Sequence, residues 1–209
     1  LGCDVETIRA LAMVESGPYG AFLTTGEPVI LFEPHWFSRL TGGKYNWYRV
    51  PVDHSSDNEH VRNDRISARW RVISRPMWTP GTYGPVSVQH YRLAEAVKYD
   101  RDDALKSASW GLFQVLGVNH TYAGHDTLQS FINAAYRSVD DHLAMFVSFI
   151  QLYNPRLLPA VQRRDWDTVA MIYNGPGQVN VYAPKLKVAY DVALATPLDF
   201  DNPQGDQRA

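Results

Sequence analysis

A single cysteine, Cys3, stands among the 209 residues, so no internal disulfide can form and no thiolate zinc site can be assembled. Excess charge is lacking too. Twenty Lys+Arg against 22 Asp+Glu leave a formal net charge of -2, which gives no basic field for nucleic acid and no acidic tail. No run approaches the ~18 consecutive apolar residues of a membrane span. No basic segment followed by an apolar one opens the chain. HExxH, GxSxG, GxxxxGK[ST] and GxGxxG are all absent, which leaves no support for a zincin, a nucleophile elbow or a nucleotide cradle. The seven histidines make no tight cluster with carboxylates, and His120 and His125 share a loop. Neither a metal nor an organic cofactor is expected. The first residue is not Met, and a capped helix begins almost at once, which reads as a fragment or processed chain. The chain is expected to be a monomer.

What the chain does have is an ordinary hydrophobic fraction of 45% with six Trp and twelve Tyr. One domain is the simplest expectation at this length, with two small lobes as the alternative. Aromatic rings build cores and also stack on sugars. The first helix is expected from Asp4 to Ser16. Asp4 is a good N-cap, Glu6 meets the helix dipole in the first turn, and Gly17-Pro18 stops the helix. Ile8, Leu11, Ala12 and Glu15 fall at i, i+3, i+4 and i+7, on one face. Glu15 thus shares an apolar stripe and sits where the dipole opposes an anion. Both effects favour a protonated carboxyl, the state a general acid needs.

Further along, Val29–Phe32 reads as a short buried strand, broken by Glu33-Pro34, with a helix from His35 to Leu40 ended by Gly42-Gly43. Glu33 is a second carboxylate just after a buried segment. Residues 53–64 are polar and read as a loop. Arg62, Arg65, Arg69, Arg71 and Arg75 then cluster around Trp70 and Trp78. Such a cluster is more often a solvated face than a nucleic-acid site, and the net negative charge argues against the latter. WTPGTYGPV is rich in turn signals. A helix is expected to Tyr99, a second over DDALKSASW stopping at Gly111, a third after Thr127, and the longest after the cap Ser138, with Leu143, Phe146, Val147 and Ile150 as its core stripe. Others follow Pro155, Asp165 or Asp167 (closed by Gly175-Pro176), and Tyr182 or Pro184 up to Ala195. Residues 196–209 read as a flexible tail.

Three short signals remain in a fixed order: Glu15-Ser16, the stretch Ser109-Trp110-Gly111-Leu112-Phe113-Gln114, and Tyr173-Asn174-Gly175-Pro176. With VESG, ILFEPHWF, WTPGTYG, YRLAEA, ASWGLFQVLGVNH, FVSFI and YNGPG, they resemble the lysozyme-like superfamily, including goose-type lysozymes and soluble lytic transglycosylases. The resemblance is closest to the bacterial and phage N-acetylmuramidase domain of modular endolysins. It covers most of residues 4 to 191, with about 53–75 as a candidate insertion in a domain spanning 1–195.

The resemblance implies a mainly α, lysozyme-like α+β fold, with a small irregular β part near residues 20 to 85 and a groove between two lobes. It also implies hydrolysis of the β-1,4 bond between N-acetylmuramic acid and N-acetylglucosamine in peptidoglycan. Glu15 would then be the acid. Glu33 would be the second carboxylate, activating water or stabilising the cation, with Asp53 and Asp57 as runners-up. Gln114, Tyr173 and Asn174 would line the groove, and Gly111 would admit backbone close to sugar. The alternatives are a lytic transglycosylase forming 1,6-anhydro products, chitin cleavage, or an inactive wall-binding module. The place of action would be the periplasm or cell wall, reached by phage lysis, secretion or effector delivery. In the effector case an immunity protein is the candidate partner.

Overall fold

The computed structural model describes residues 1–50, 70–79 and 81–196. These form two compact units, one made of Leu1–Pro18 with the stretch from Ile150 onward, the other of Tyr19–Phe149. Among the described residues the chain is mainly helical with one three-stranded sheet. The candidate insertion from 53 onward falls largely outside the described residues, with Arg62, Arg65, Arg69 and the runners-up Asp53 and Asp57. All of the tail but Thr196 also lies outside them.

The first unit is built on α1 (Val5–Ser16), capped as its sequence requires: the Asp4 side chain accepts from the Thr7 N–H at 2.8 Å. Its fully buried positions are Thr7, Ala10, Leu11 and Ser16, while Ile8, Ala12 and Glu15 are half-buried. The core face is therefore rotated from the expected stripe, and Glu15 lies at its edge. The same unit contains helices Leu157–Arg163, Trp166–Tyr173 and Val179–Ala195. The last starts earlier than Pro184 suggests, because a 3-10 turn at Pro176–Gln178 leads into it and the helix accommodates the proline inside. At 17 residues it is longer than Val139–Leu152 at 14, the helix expected to be longest. Arg9 closes its end by donating to the carbonyls of Ala193 (3.1 Å) and Thr196 (2.7 Å). Asp4, the cap of α1, also accepts from Tyr190 of that helix (3.0 Å) and pairs with Arg164, which follows Leu157–Arg163 (2.9 Å). Ala10, Leu11, Leu157, Val161, Val169 and Leu186 are among the buried apolar residues of this unit.

In the second unit β1 (Ile30–Phe32) pairs antiparallel with β2 (Ala108–Trp110), and β2 with β3 (Val115–Leu116). Ile30 faces Trp110, and Trp110 faces Val115. Two of the three strands thus lie outside the 20–85 stretch where the β part is expected. The sequence pattern also places Ala108–Trp110 in a helix. The helix instead ends with Arg101–Lys106, and the next residues pair with a strand remote in sequence. Tertiary pairing overrides local propensity here. Helices Pro34–Leu40, Gln89–Val97 and Leu128–Arg137 surround a core of Phe32, Phe37, Ile73, Trp110, Phe113, Phe131 and Phe146. Phe113 stacks on Phe146 at 4.1 Å between centroids. In Val139–Leu152 the buried side chains are His142, Met145, Phe146, Phe149 and Ile150, and Leu143 is 40% exposed. The stripe is therefore shifted from the expected one.

Candidate functional site

In the first unit, the end of α1 and the end of Trp166–Tyr173 bring two sequence-distant signals together. Asn174 terminates the second of these helices, its N–H donating to the Ala170 carbonyl at 2.9 Å. Its side-chain amide donates to Glu15 Oε1 at 3.0 Å. A carboxylate only accepts, so this contact orients the amide with nitrogen toward Glu15. The other end of that amide, Oδ1, is buried and finds no donor among the described residues. Gly175 holds φ at +101°, a backbone state that admits essentially only glycine, and so turns the chain sharply after Asn174. Tyr173 is half-buried, and its hydroxyl is pushed well above its usual pKa, first by loss of solvent around the phenol and then by the charge of Glu15. The phenol stays protonated beside the carboxyl group.

In the second unit Glu33 occupies the N-cap position of Pro34–Leu40, yet its side chain makes no capping bond. Ser109 Oγ donates to Oε1 at 3.0 Å, and Tyr83 OH donates to Oε2 at 3.2 Å. Burial raises the Glu33 carboxyl to about 7, against the pull of those two hydrogen bonds. His35 Nε2 lies 3.5 Å from Oε2. Burial, then the charge of Arg39, lowers this imidazole to about 4, so the contact is not an ion pair at neutral pH. Helix Gln89–Val97 braces the partners of Glu33. Gln89 accepts from the Phe32 N–H (3.1 Å) and donates to the Tyr83 carbonyl (2.7 Å). Arg92, almost fully buried, donates to the carbonyls of Tyr83 (2.8 Å) and Val72 (2.7 Å).

The Gly111–Gln114 turn is in the same unit. Its two ends have positive φ, +70° at Gly111 and +50° at Gln114. The Gln114 side-chain nitrogen donates to the carbonyls of Gly111 (2.8 Å) and Val29 (3.2 Å). A Cβ at Gly111 would lie 2.6–2.7 Å from the His142 ring. That glycine is therefore demanded by the imidazole packed against it. Leu112 N–H donates to His142 Nδ1 (3.2 Å), so Nε2 carries the proton that goes to the Ala135 carbonyl (2.7 Å). Burial lowers the His142 pKa, in keeping with the neutral ring.

Sequence reasoning names Glu15, Asn174, Tyr173, Glu33, Gln114 and Gly111; of these the structure joins Asn174 to Glu15, and around Glu33 and Gly111 it places Ser109, Tyr83, Gln89 and His142, which that reasoning gives no role. Ser109 and Tyr83 sit inside the ASW and WTPGTYG segments, where the only available signal is the recurrence of those segments. Among the described residues no group of three or more His, Cys, Asp or Glu side chains is arranged to hold a metal ion. No described helix is long and apolar enough to cross a membrane.

A family model described as "Muramidase: N-acetylmuramidase" matches residues 4–193. Among solved structures the chain is similar to the Burkholderia AP3 phage endolysin, with a TM-score of 0.66 and 27% identity over 93% of this chain and 67% of that one. No curated protein matches.

Proposed function

Because the chain belongs to the N-acetylmuramidase family, we propose that it is a peptidoglycan hydrolase. It cleaves the β-1,4 bond between N-acetylmuramic acid and N-acetylglucosamine, with Glu15 as general acid. The observation that carries this reading is the 3.0 Å bond from Asn174 to Glu15. It joins two family signals 159 residues apart at one carboxyl group. An amide suits such a position because it can serve both protonation states: its nitrogen donates to the carboxylate, and after a flip its oxygen accepts from the protonated acid.

In the proposed reaction Glu15 gives its proton to the glycosidic oxygen as the bond to C1 breaks through an oxocarbenium-like state. A water oxygen bonds to C1 and its proton goes to Glu33. A carboxyl group held near a pKa of 7 is a much stronger base than a free carboxylate, which favours the water-activating role over standing counter-charge. Direct attack by water inverts C1, and proton NMR of the nascent anomer separates it from a double displacement. Gln114 Oε1, Tyr173, Asn174 and the Gly111 backbone are the proposed sugar contacts. The site of action is the cell wall.

The test is digestion of isolated sacculi by wild type, Glu15→Gln and Glu33→Gln, with products identified by mass. Reducing muramic ends that vanish with Glu15→Gln support the proposal. Anhydro ends would make the protein a transglycosylase, and unchanged digestion by Glu15→Gln would remove the acid.

A further inference from the structure

Trp47 combines three properties that packing alone does not explain. It is 60% exposed. Its φ is +70°, a conformation that bulky L-residues avoid. Its ring lies beneath the Arg75 guanidinium, 5.7 Å from the centroid.

The backbone on either side keeps it there. Trp47 N–H donates to the Ser74 carbonyl (2.8 Å), Ile73 N–H to Tyr48 (2.8 Å) and Val50 N–H to Arg71 (2.7 Å). Ser74 Oγ also donates to Asn46 Oδ1 at 2.9 Å. Strain maintained by surrounding bonds at an exposed aromatic is the pattern of a ligand clamp. Arg75 adds a second, independent sign. Its Nε is buried with no acceptor, and its side chain makes no ion pair among the described residues. Its own N–H donates to the Pro34 carbonyl at 3.2 Å, which joins this ladder to the residue following Glu33. Met77 (73% exposed) and Trp78 (45%) extend the open surface.

We propose that Trp47 and Arg75 form a secondary docking point for acidic glycan. The free face of the indole stacks on a pyranose, and the guanidinium pairs with a carboxylate of the lactyl group or stem peptide that the sugar carries. The chemistry selects a muramoyl-peptide glycan over neutral chitin. The assignment rests on the wall substrate proposed above.

Binding is measured in the Glu15→Gln background, so that no turnover intervenes, by titrating soluble muropeptide oligomers and monitoring tryptophan fluorescence. Trp47→Gly relieves the backbone strain and is expected to raise or preserve the thermal midpoint while weakening binding at least tenfold. Arg75→Gln is expected to weaken binding about fivefold, and to have no effect when the ligand carboxylates are amidated. Chitooligosaccharides of equal length are expected to bind more weakly than muropeptides in the parent. Binding within twofold of the parent in both variants overturns the proposal. So does a lowered midpoint in Trp47→Gly, which would make the indole a packing residue. So would concentration-dependent self-association abolished by Trp47→Gly, which assigns the surface to a second copy of the chain. Sacculus lysis by the Trp47 and Arg75 variants with Glu15 intact separates the two claims. Glu15-dependent lysis with unchanged muropeptide binding removes the docking point and leaves the hydrolase reading standing.

Discussion

Replacing Glu33 by Gln should favour the fold increasingly as pH rises from 4.5 through about 7, by an increment the buried carboxyl sets. The carboxyl sits at about 7 in the fold against an ordinary 4.5. The gap, about 7 minus 4.5, is about 2.5 pH units, or roughly 3 kcal/mol. Below pH 4.5 both folded and unfolded chains hold the proton, and Glu33 contributes no pH dependence. Between 4.5 and about 7 the unfolded chain releases it while the folded one keeps it, so stability falls as pH rises. Above about 7 the full cost of roughly 3 kcal/mol is present.

The neutral amide of the Glu33→Gln variant carries no such cost, and any change in its bonds to Ser109 and Tyr83 enters as an offset independent of pH. Urea unfolding of wild type and Glu33→Gln at about pH 4.5 and about pH 8 therefore isolates that cost. The variant's advantage should grow by about 3 kcal/mol between the two conditions. An advantage that stays the same at both pH values would refute the burial argument and, with it, the assignment of Glu33 as a strong base.

The activity of the wild type should rise with pH through about 7 as Glu33 ionises, and that limb should be missing from the Glu33→Gln profile. Tyr83→Phe removes one of the hydrogen bonds that lower the carboxyl, so the same limb should move to higher pH; an unmoved limb would exclude Tyr83 as a partner. Gly111→Ala drives a Cβ into the His142 ring at 2.6 Å and leaves alanine at φ +70°. It should cost about 2–5 kcal/mol in denaturant unfolding, summing left-handed strain of ~1–2 and overpacking of ~1–3, and a loss under about 1 would contradict that packing. Asn174→Asp replaces the amide that donates to Glu15 with a carboxylate that cannot donate, and should reduce the rate on wall glycan by about 10²-fold near neutral pH as the acid loses its position.

Local chemistry makes part of this molecule readable in the sequence. Asp4, Thr127 and Asp165 cap their helices because a short oxygen-bearing side chain just before free N–H groups is a local device. Contacts between distant residues are not readable in this way. Ser109 and Tyr83 lie 76 and 50 residues from Glu33, and only the pairing of β1 with β2 and the brace of Gln89 and Arg92 explain their arrival. Ala108–Trp110 looks helical because its strand partner is remote. The helix stripes at Glu15 and Leu143 are offset because several rotations of an apolar-rich helix satisfy the same periodicity, and only tertiary packing selects one. Trp47 carries no signal, since its backbone strain is a property of the folded ladder.

The claim on which the catalytic account turns is that Glu15 delivers a proton to a poor leaving group. The direct measurement compares Glu15→Gln with wild type on wall glycan and on an aryl muramoyl glycoside whose dinitrophenolate leaves without acid help. The account predicts a loss of about 10²–10⁴-fold on the glycan and a rate near wild type on the aryl substrate. Equal losses on both would contradict it.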